Sequence, residues 1–319
     1  MRFLYILFIL IVLIYFVYYI NYNTNNSLYL LPIIPSDKYL EKKIAVFYCY
    51  YEKNELYKEN FKYFLNNGIL DDVDYYIAIN GESTVSLPSR PNIHIYYREN
   101  VGYDFGAYSY LLHQVNQVNQ VNQVKKEYDY YFFINTSVCG PYLTNNSSRW
   151  TDYFLELFTD PSIKVVGTSI NIFDKENFDI YNLGELYGKR KAYSHVQSMF
   201  FAIDNEYKNY LISQGFFDEE KYKNMGFSQV IYYGEFGLSQ LAIKNGWNIN
   251  CILDRYRDLD YREIIKDINP TSQEGDPYFN NSYFGRTIQP EEVIFIKSWR
   301  LENFFTSSLK YLRYIKNLL

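Results

Sequence analysis

Hydrophobic residues fall along this chain in short runs, each stopped by a polar or glycine-containing breaker. The sharpest run is 128–134, aromatic and β-branched with Asp129 as its one charge. It gives way to Asn135-Thr136-Ser137 and then to Gly140-Pro141. Such a run reads as a buried strand ending at a turn. Residues 43–52, 73–79 and 93–97 read as earlier strands, and 163–172, 195–203 and 248–253 as later ones. Between them 54–66, 105–115, 150–158, 206–213 and 236–245 carry helical spacing, with Asn67-Gly68 and Gly246 as stops. This alternation predicts an α/β fold, a mixed and mostly parallel sheet covered by helices on both faces. In such sheets ligands bind outside the carboxyl ends of the strands, so polar clusters at strand ends are the candidate sites.

The ends of the chain have a different texture. Residues 3–20 are one unbroken apolar and aromatic run. As a helix it would span about 27 Å, near the thickness of a bilayer core. No small-residue cleavage pattern follows, so a single membrane anchor is expected rather than a cleaved signal. Arg2 precedes the run and the next basic residue is Lys38. That asymmetry favours a type II topology, with the bulk of the chain lumenal or extracytoplasmic. Residues 21–41, rich in Asn and holding Pro32 and Pro35, read as a stalk. Residues 114–124 repeat Gln-Val-Asn and read as a surface extension of the preceding helix.

Composition adds limits. The 319 residues carry a net charge of −5, which argues against a nucleic-acid surface. Three well-separated cysteines, each in or beside an apolar run, read as buried thiols rather than a disulfide framework or zinc site. The 38 tyrosines and 24 phenylalanines dilute the meaning of any single aromatic.

Three polar clusters sit at strand ends. After the third strand comes Asn100-Val101-Gly102-Tyr103-Asp104-Phe105-Gly106. Its glycines permit close backbone approach to a ligand, and Asn100 and Asp104 can bond sugar or ribose hydroxyls. Asp104 would equally serve as a helix cap. The second cluster is Asn135-Thr136-Ser137. The third, Gly234-Glu235-Phe236-Gly237, opens a late helix, whose dipole would favour a carboxylate at Glu235. That residue reads either as a general base or as an ordinary helix-start glutamate.

The order of these segments, with FINTSVCGP, HVQSMFFAID and EFGLSQLAIKNGWNI, resembles a GT-A glycosyltransferase over about residues 43–253. More closely it resembles the rhamnan synthesis protein F type and related viral and bacterial sugar transferases. The matches are Asn100, Gly102 and Asp104; Asn135, Ser137, Gly140 and Pro141; and Glu235. The resemblance implies a Rossmann-like GT-A domain over 42–265 and a C-terminal extension over 266–319. It implies a glycosyltransferase of the hexosyl or deoxyhexosyl class, using a nucleotide-sugar donor and a glycan or lipid-linked acceptor in polysaccharide biosynthesis. Asn80 and Gly81 would border the base, and His195 would contact donor or acceptor unless it is structural. Glu235 would be the catalytic base, with Asp104 beside it.

One position departs from the pattern. Where the family usually holds a divalent metal with an Asp-x-Asp pair, this chain has Asn135 and Ser137. Neutral oxygens are poorer partners for Mg²⁺ or Mn²⁺, which leaves metal use open. Arg286, Lys297 and Arg300 are the candidates to meet the diphosphate instead, if the tail folds back on the site. Residues 304–319 read as a closing basic amphipathic helix. The alternative is a catalytically inactive relative that binds a sugar or nucleotide. Neither a Gly-x-Ser-x-Gly elbow nor a Walker loop is present, which disfavours hydrolase and phosphotransfer readings.

Overall fold

Seven strands form one sheet, and the chain enters it at an interior strand. The computed structural model describes residues 31–32, 34–35, 37–122, 127–144, 148–174 and 182–298, with 118–122 as backbone only. The first half runs β1 (Ile44–Tyr50), α1 (Glu55–Asn67), β2 (Asp74–Asn80), β3 (Ile93–Arg98), α2 (Tyr103–Asn122), β4 (Tyr130–Asn135) and β5 (Val138–Cys139). Next come α3 (Trp150–Leu155), β6 (Ile163–Gly167), β7 (Ile170–Phe173), α4 (Leu183–Tyr187), β8 (Tyr193–Val196), β9 (Phe200–Asp204) and α5 (Asn205–Ser213). The chain closes with α6 (Glu219–Lys223), α7 (Phe227–Val230), a π-helical segment (Ile231–Phe236), α8 (Gly237–Lys244), β10 (Asn248–Cys251), α9 (Pro290–Val293) and β11 (Ile296–Lys297).

The sheet order is β10-β6-β9-β4-β1-β2-β3. β1 pairs parallel with β2 and β4, β2 with β3, and β10 with β6; β9 runs antiparallel between β4 and β6. The mixed, mostly parallel sheet with flanking helices therefore matches the alternation in the sequence. β1 is buried at all seven positions, as a central strand covered on both faces must be. One row of rings crosses the sheet in register: His94, Tyr76, Phe47, Phe133 and Phe201. Their centroids are 4.9, 5.3, 5.1 and 4.6 Å apart in turn. Cross-strand aromatic pairs contribute about 0.2–1 kcal/mol each, so much of the aromatic content holds sheet register.

The C-terminal segment is stitched to the middle of the chain. β11 pairs antiparallel with β5, setting Lys297 opposite Val138. Asn60 of α1 donates to the Thr136 carbonyl at 2.9 Å and to the Ser298 hydroxyl at 2.7 Å. Phe295 stacks on Phe200 at 4.6 Å and meets Trp150 edge-on at 5.1 Å. Gly140 permits this closeness, because a Cβ there would lie 2.4 Å from the Ile294 carbonyl oxygen. All three cysteines are buried free thiols, as their apolar settings suggest.

Two expected strands divide. Residues 163–172 form β6 in the main sheet and β7 in a separate pair with β8. A Cβ at Gly167 would lie 2.3 Å from Val196 Cγ1, so at this glycine β8 passes close and the chain leaves the sheet. Residues 195–203 likewise divide into β8 and β9 around 197–199. The apolar stretch 293–296 ends the turn of α9 and begins short β11. The expected helix over 105–115 is longer, and the Gln-Val-Asn repeat continues α2 as far as Asn122. The apolar run 3–20, the stalk up to residue 30, Arg300 and the closing stretch 304–319 lie outside the described residues. Among the described residues no helix is long and apolar enough to cross a membrane.

Candidate functional site

Parallel strands β1, β2, β3 and β4 all point their carboxyl ends at one side, and the sheet order reverses between β1 and β4. A crevice is expected at such a switch point. A cavity of about 620 Å³ lies there. The segment after β1 delivers Tyr51 and Lys53 to its wall, β2 delivers Asn80, the turn after β3 delivers Asn100, and the first turn of α2 delivers Asp104. β4 delivers Asn135, Thr136 and Ser137. Ser198, Glu235 and Lys297 line the cavity as well.

Glu235 does not open a helix. Helical backbone runs from Phe227 through Lys244, and Glu235 lies in the π-helical stretch inside it. The helix-start rationale is thereby overturned, since the dipole acts only at a terminus. Single-turn π insertions recur at functional sites, because the extra residue re-aims side chains. Gly234 makes the placement possible: a Cβ there would lie 2.4 Å from the Phe105 ring. Glu235 Oε1 lies 3.2 Å from His195 Nε2, and the Ser198 hydroxyl donates to Oε2 at 2.5 Å. Removal from water pushes the Glu235 carboxyl up, but the His195 bond and charge, Lys297 and Ser198 outweigh it and hold it at about 2.

Asp104 behaves oppositely. Burial pushes it up to about 6, against the Asn135 amide that donates to it, and the Glu235 charge adds to the rise. Asn135 Nδ2 donates to Asp104 Oδ2 at 2.9 Å. Asn135 Oδ1 accepts from the Ser137 amide at 3.0 Å and the Ser137 hydroxyl at 2.6 Å. The cavity thus holds two carboxylates whose proton affinities are driven apart, an arrangement suited to acid–base work.

This donor set does not fit a divalent cation as arranged. At the position usual for Asp-x-Asp, the Asn135 oxygen already accepts two hydrogen bonds and its nitrogen is committed to Asp104. Both Glu235 oxygens are engaged as well. Among the described residues no cluster of three His, Cys, Asp or Glu side chains is placed to hold a metal.

The structure brings Asn80, Asn100, Asp104, Asn135, Ser137, Glu235 and Lys297 to one cavity. Asn80 donates to Asn100 at 3.3 Å and accepts from Arg98 at 2.9 Å, so the two asparagines form one braced edge. Gly81, Gly102, His195 and Arg286 do not line the cavity. Gly81 makes the exposed turn after β2 at φ +84°. Gly102 is buried, and a Cβ there would lie 3.1 Å from the Tyr222 backbone; helix packing rather than ligand approach explains it. His195 is buried behind Glu235, with Nδ1 lacking a partner among the described residues. Arg286 forms a two-pronged pair with Glu292 at 2.6 and 2.7 Å. Sequence reasoning missed Tyr51, Lys53, Ser198, Tyr103 and Phe227. The first two follow β1 directly, so the strand-end rule would have found them; Ser198 sits in the undetected turn between β8 and β9.

No family model and no curated protein matches the chain. Among solved structures it is similar to a glycosyltransferase involved in the glycosylation of the major capsid of PBCV-1, with 11% identity, 60% of this chain and 75% of that one covered, and a TM-score of 0.29. It is similar to the mannosyltransferase PcManGT from Pyrobaculum calidifontis, solved with GDP-Man and Mn²⁺, with 13% identity, 61% and 53% covered, and a TM-score of 0.31. The galactosyltransferase LgtC, with donor and acceptor sugar analogues, shows 12% identity, 60% and 71% covered, and a TM-score of 0.34. At TM-scores this low the likeness carries no argument, and the site stands on its own geometry.

Proposed function

We infer that this protein is a glycosyltransferase that moves a sugar from a nucleotide-sugar donor to an acceptor hydroxyl. One observation carries the reading: Asp104, Glu235 and Lys297 converge on the cavity at the switch point of a mostly parallel sheet. The convergence suits the chemistry. A donor's diphosphate leaves with negative charge, and Lys297 on β11 and Lys53 after β1 are cations on the cavity wall. The acceptor hydroxyl must lose a proton. Asp104, near 6, is the better proton acceptor at neutral pH, whereas Glu235, near 2, is a weak base. Glu235 stays ionised and offsets positive charge developing at the sugar's anomeric carbon. This assigns to Asp104 the base role that the sequence suggested for Glu235.

The resemblance to the rhamnan synthesis protein F type supports a hexose or deoxyhexose donor and a glycan or lipid-linked acceptor. The apolar run 3–20 behind Arg2 supports an anchor that holds the domain outside the cytoplasm. A panel of nucleotide sugars, each with Mn²⁺, Mg²⁺ or EDTA, tests the central claim. Turnover of one donor, abolished by Lys297→Ala in a folded protein, is the expected result. Nucleotide binding without turnover of any donor would instead favour an inactive binding protein, a reading that the bonded Asn135–Ser137 pair at the metal position also fits.

A further inference from the structure

The cavity has an aromatic rim that the chemistry above does not use. Tyr103 is 43% exposed and Phe227 is 64% exposed, though both are large apolar rings on the cavity wall. Their centroids lie 5.6 Å apart with planes at 61°. Tyr103 is held there at a backbone cost: its φ is +54°, in the left-handed region that non-glycine residues rarely adopt. The turn is fixed from both sides. Gly102 packs against the Tyr222 backbone, and a Cβ on Gly106 would lie 2.8 Å from the Val101 carbonyl oxygen. Strain maintained by the surrounding packing, on an exposed ring beside Asp104, points to a ring kept out for a ligand.

Charge on the cavity wall selects the ligand's class. The described cations of the cavity are Lys53, beside Tyr51 after β1, and Lys297, opposite Val138 on β5. Tyr103 is followed in sequence by Asp104, and Phe227 lies on the same continuous helix as Val230, Ile231 and Glu235. The rim's own elements therefore supply apolar faces and carboxylates, and no cation, to the cavity. A phosphorylated group is poorly matched there. A neutral ring with one C–H face and several hydroxyls is well matched: the face lies on the partly negative aromatic surface and the hydroxyls donate to the carboxylates.

We propose that Tyr103 and Phe227 form the stacking platform of a pyranose subsite, which receives the acceptor sugar and sets its hydroxyl toward Asp104. This deepens the transferase reading and rests on it. The test is saturation-transfer NMR on the full-length protein, with methyl pyranosides of gluco, galacto, manno and rhamno configuration as probes. Calorimetry with UDP, GDP and dTDP is run on the same samples. At least one glycoside is expected to show transfer concentrated on its ring C–H protons. That signal should fall by about fivefold or more in Phe227→Ala and in Tyr103→Asn, since each removes one aromatic face of the platform. Asn is chosen because it tolerates left-handed backbone. Phe227→Trp should restore the signal, and nucleotide affinity should stay unchanged in all three. Weaker nucleotide binding with the glycoside signal intact would overturn the proposal, because the rings would then serve the base. A glycoside signal indifferent to both variants would overturn it too. So would the absence of any glycoside signal from the unsubstituted protein, and the parallel calorimetry then says whether nucleotide binding, and with it the donor reading, falls as well.

Discussion

At Glu235 the bonds from His195 and Ser198, with the His195 and Lys297 charges, outweigh burial, whereas at Asp104 burial outweighs the bonds from Asn135 and Phe105 and the Glu235 charge adds to the rise. Proton linkage follows with opposite signs. Asp104 rises from 3.8 to about 6 on folding, so it favours the folded state below pH 3.8, and that contribution is lost as pH rises through 6. Glu235 falls from 4.5 to about 2, so its contribution is present above pH 4.5 and is lost as pH drops toward 2. In turnover, a single acid limb near pH 6 is expected, with activity rising as Asp104 ionises. Asp104→Asn should abolish the limb together with most of the activity. Glu235→Gln should lower activity at every pH and shift the limb to lower pH, because the charge that raises Asp104 is gone. A limb unmoved by Glu235→Gln, measured as the pH profile of kcat/KM, would break the proposed coupling.

At the scale of elements, the π-helical segment carries the most consequence. Gly234 lies against the Phe105 ring, and Phe105 in turn packs on Phe201 and Tyr222 at 6.2 and 5.6 Å. Adding one methyl group there overpacks the junction between α2 and the segment that carries Glu235. Gly234→Ala should cost about 1–3 kcal/mol in a denaturant midpoint, the usual range for overpacking. It should also lower activity further than the lost stability explains, since Asp104 and Glu235 sit on the two elements being pushed apart. Wild-type kinetics in a destabilised variant would sink that account. None of this was legible in the residues 234–240, whose glycines read as a helix start. A π insertion leaves no periodic mark, because one extra residue only displaces the apolar stripe. The splits at Gly167 and at 197–199 were hidden for a related reason: β6, β8 and β9 are almost wholly buried, and an apolar run does not record which sheet it joins. What the sequence did reveal was whatever depends on breakers. Gly68 ends α1, its amide donating to the Phe64 carbonyl at 2.7 Å, and the polar residues after β4 lie on the cavity.

For the whole molecule, the net charge of −5 poses a problem that the fold has to solve locally. A nucleoside diphosphate approaching an acidic protein is repelled at long range, and the cavity adds two carboxylates of its own. In the proposed site, Lys53 and Lys297 supply the compensating charge, one from the end of β1 and one from a strand more than 240 residues later in the sequence. Closing that long loop is the task of Asn60, which bonds Ser298 and the Thr136 carbonyl, and of Phe295, which fills the space that Gly140 leaves. Binding should therefore stabilise the fold without a metal. At about 100 times its dissociation constant, the best-bound nucleotide should add about 2.7 kcal/mol to unfolding. EDTA should leave that gain intact, and rising salt should shrink it, because partly exposed charges are screened. Lys297→Ala should weaken binding by about tenfold, near the low end for one charged hydrogen bond. Asn60→Ala should weaken it too, although Asn60 does not line the cavity, because it removes one of the bonds that brace Ser298 beside β11. If EDTA erased the stabilisation, a cation would be entering the site, and the Asn135–Ser137 pair would have to open to admit it. If Asn60→Ala left binding untouched while the fold held, the pairing of β11 with β5 alone would be what positions Lys297.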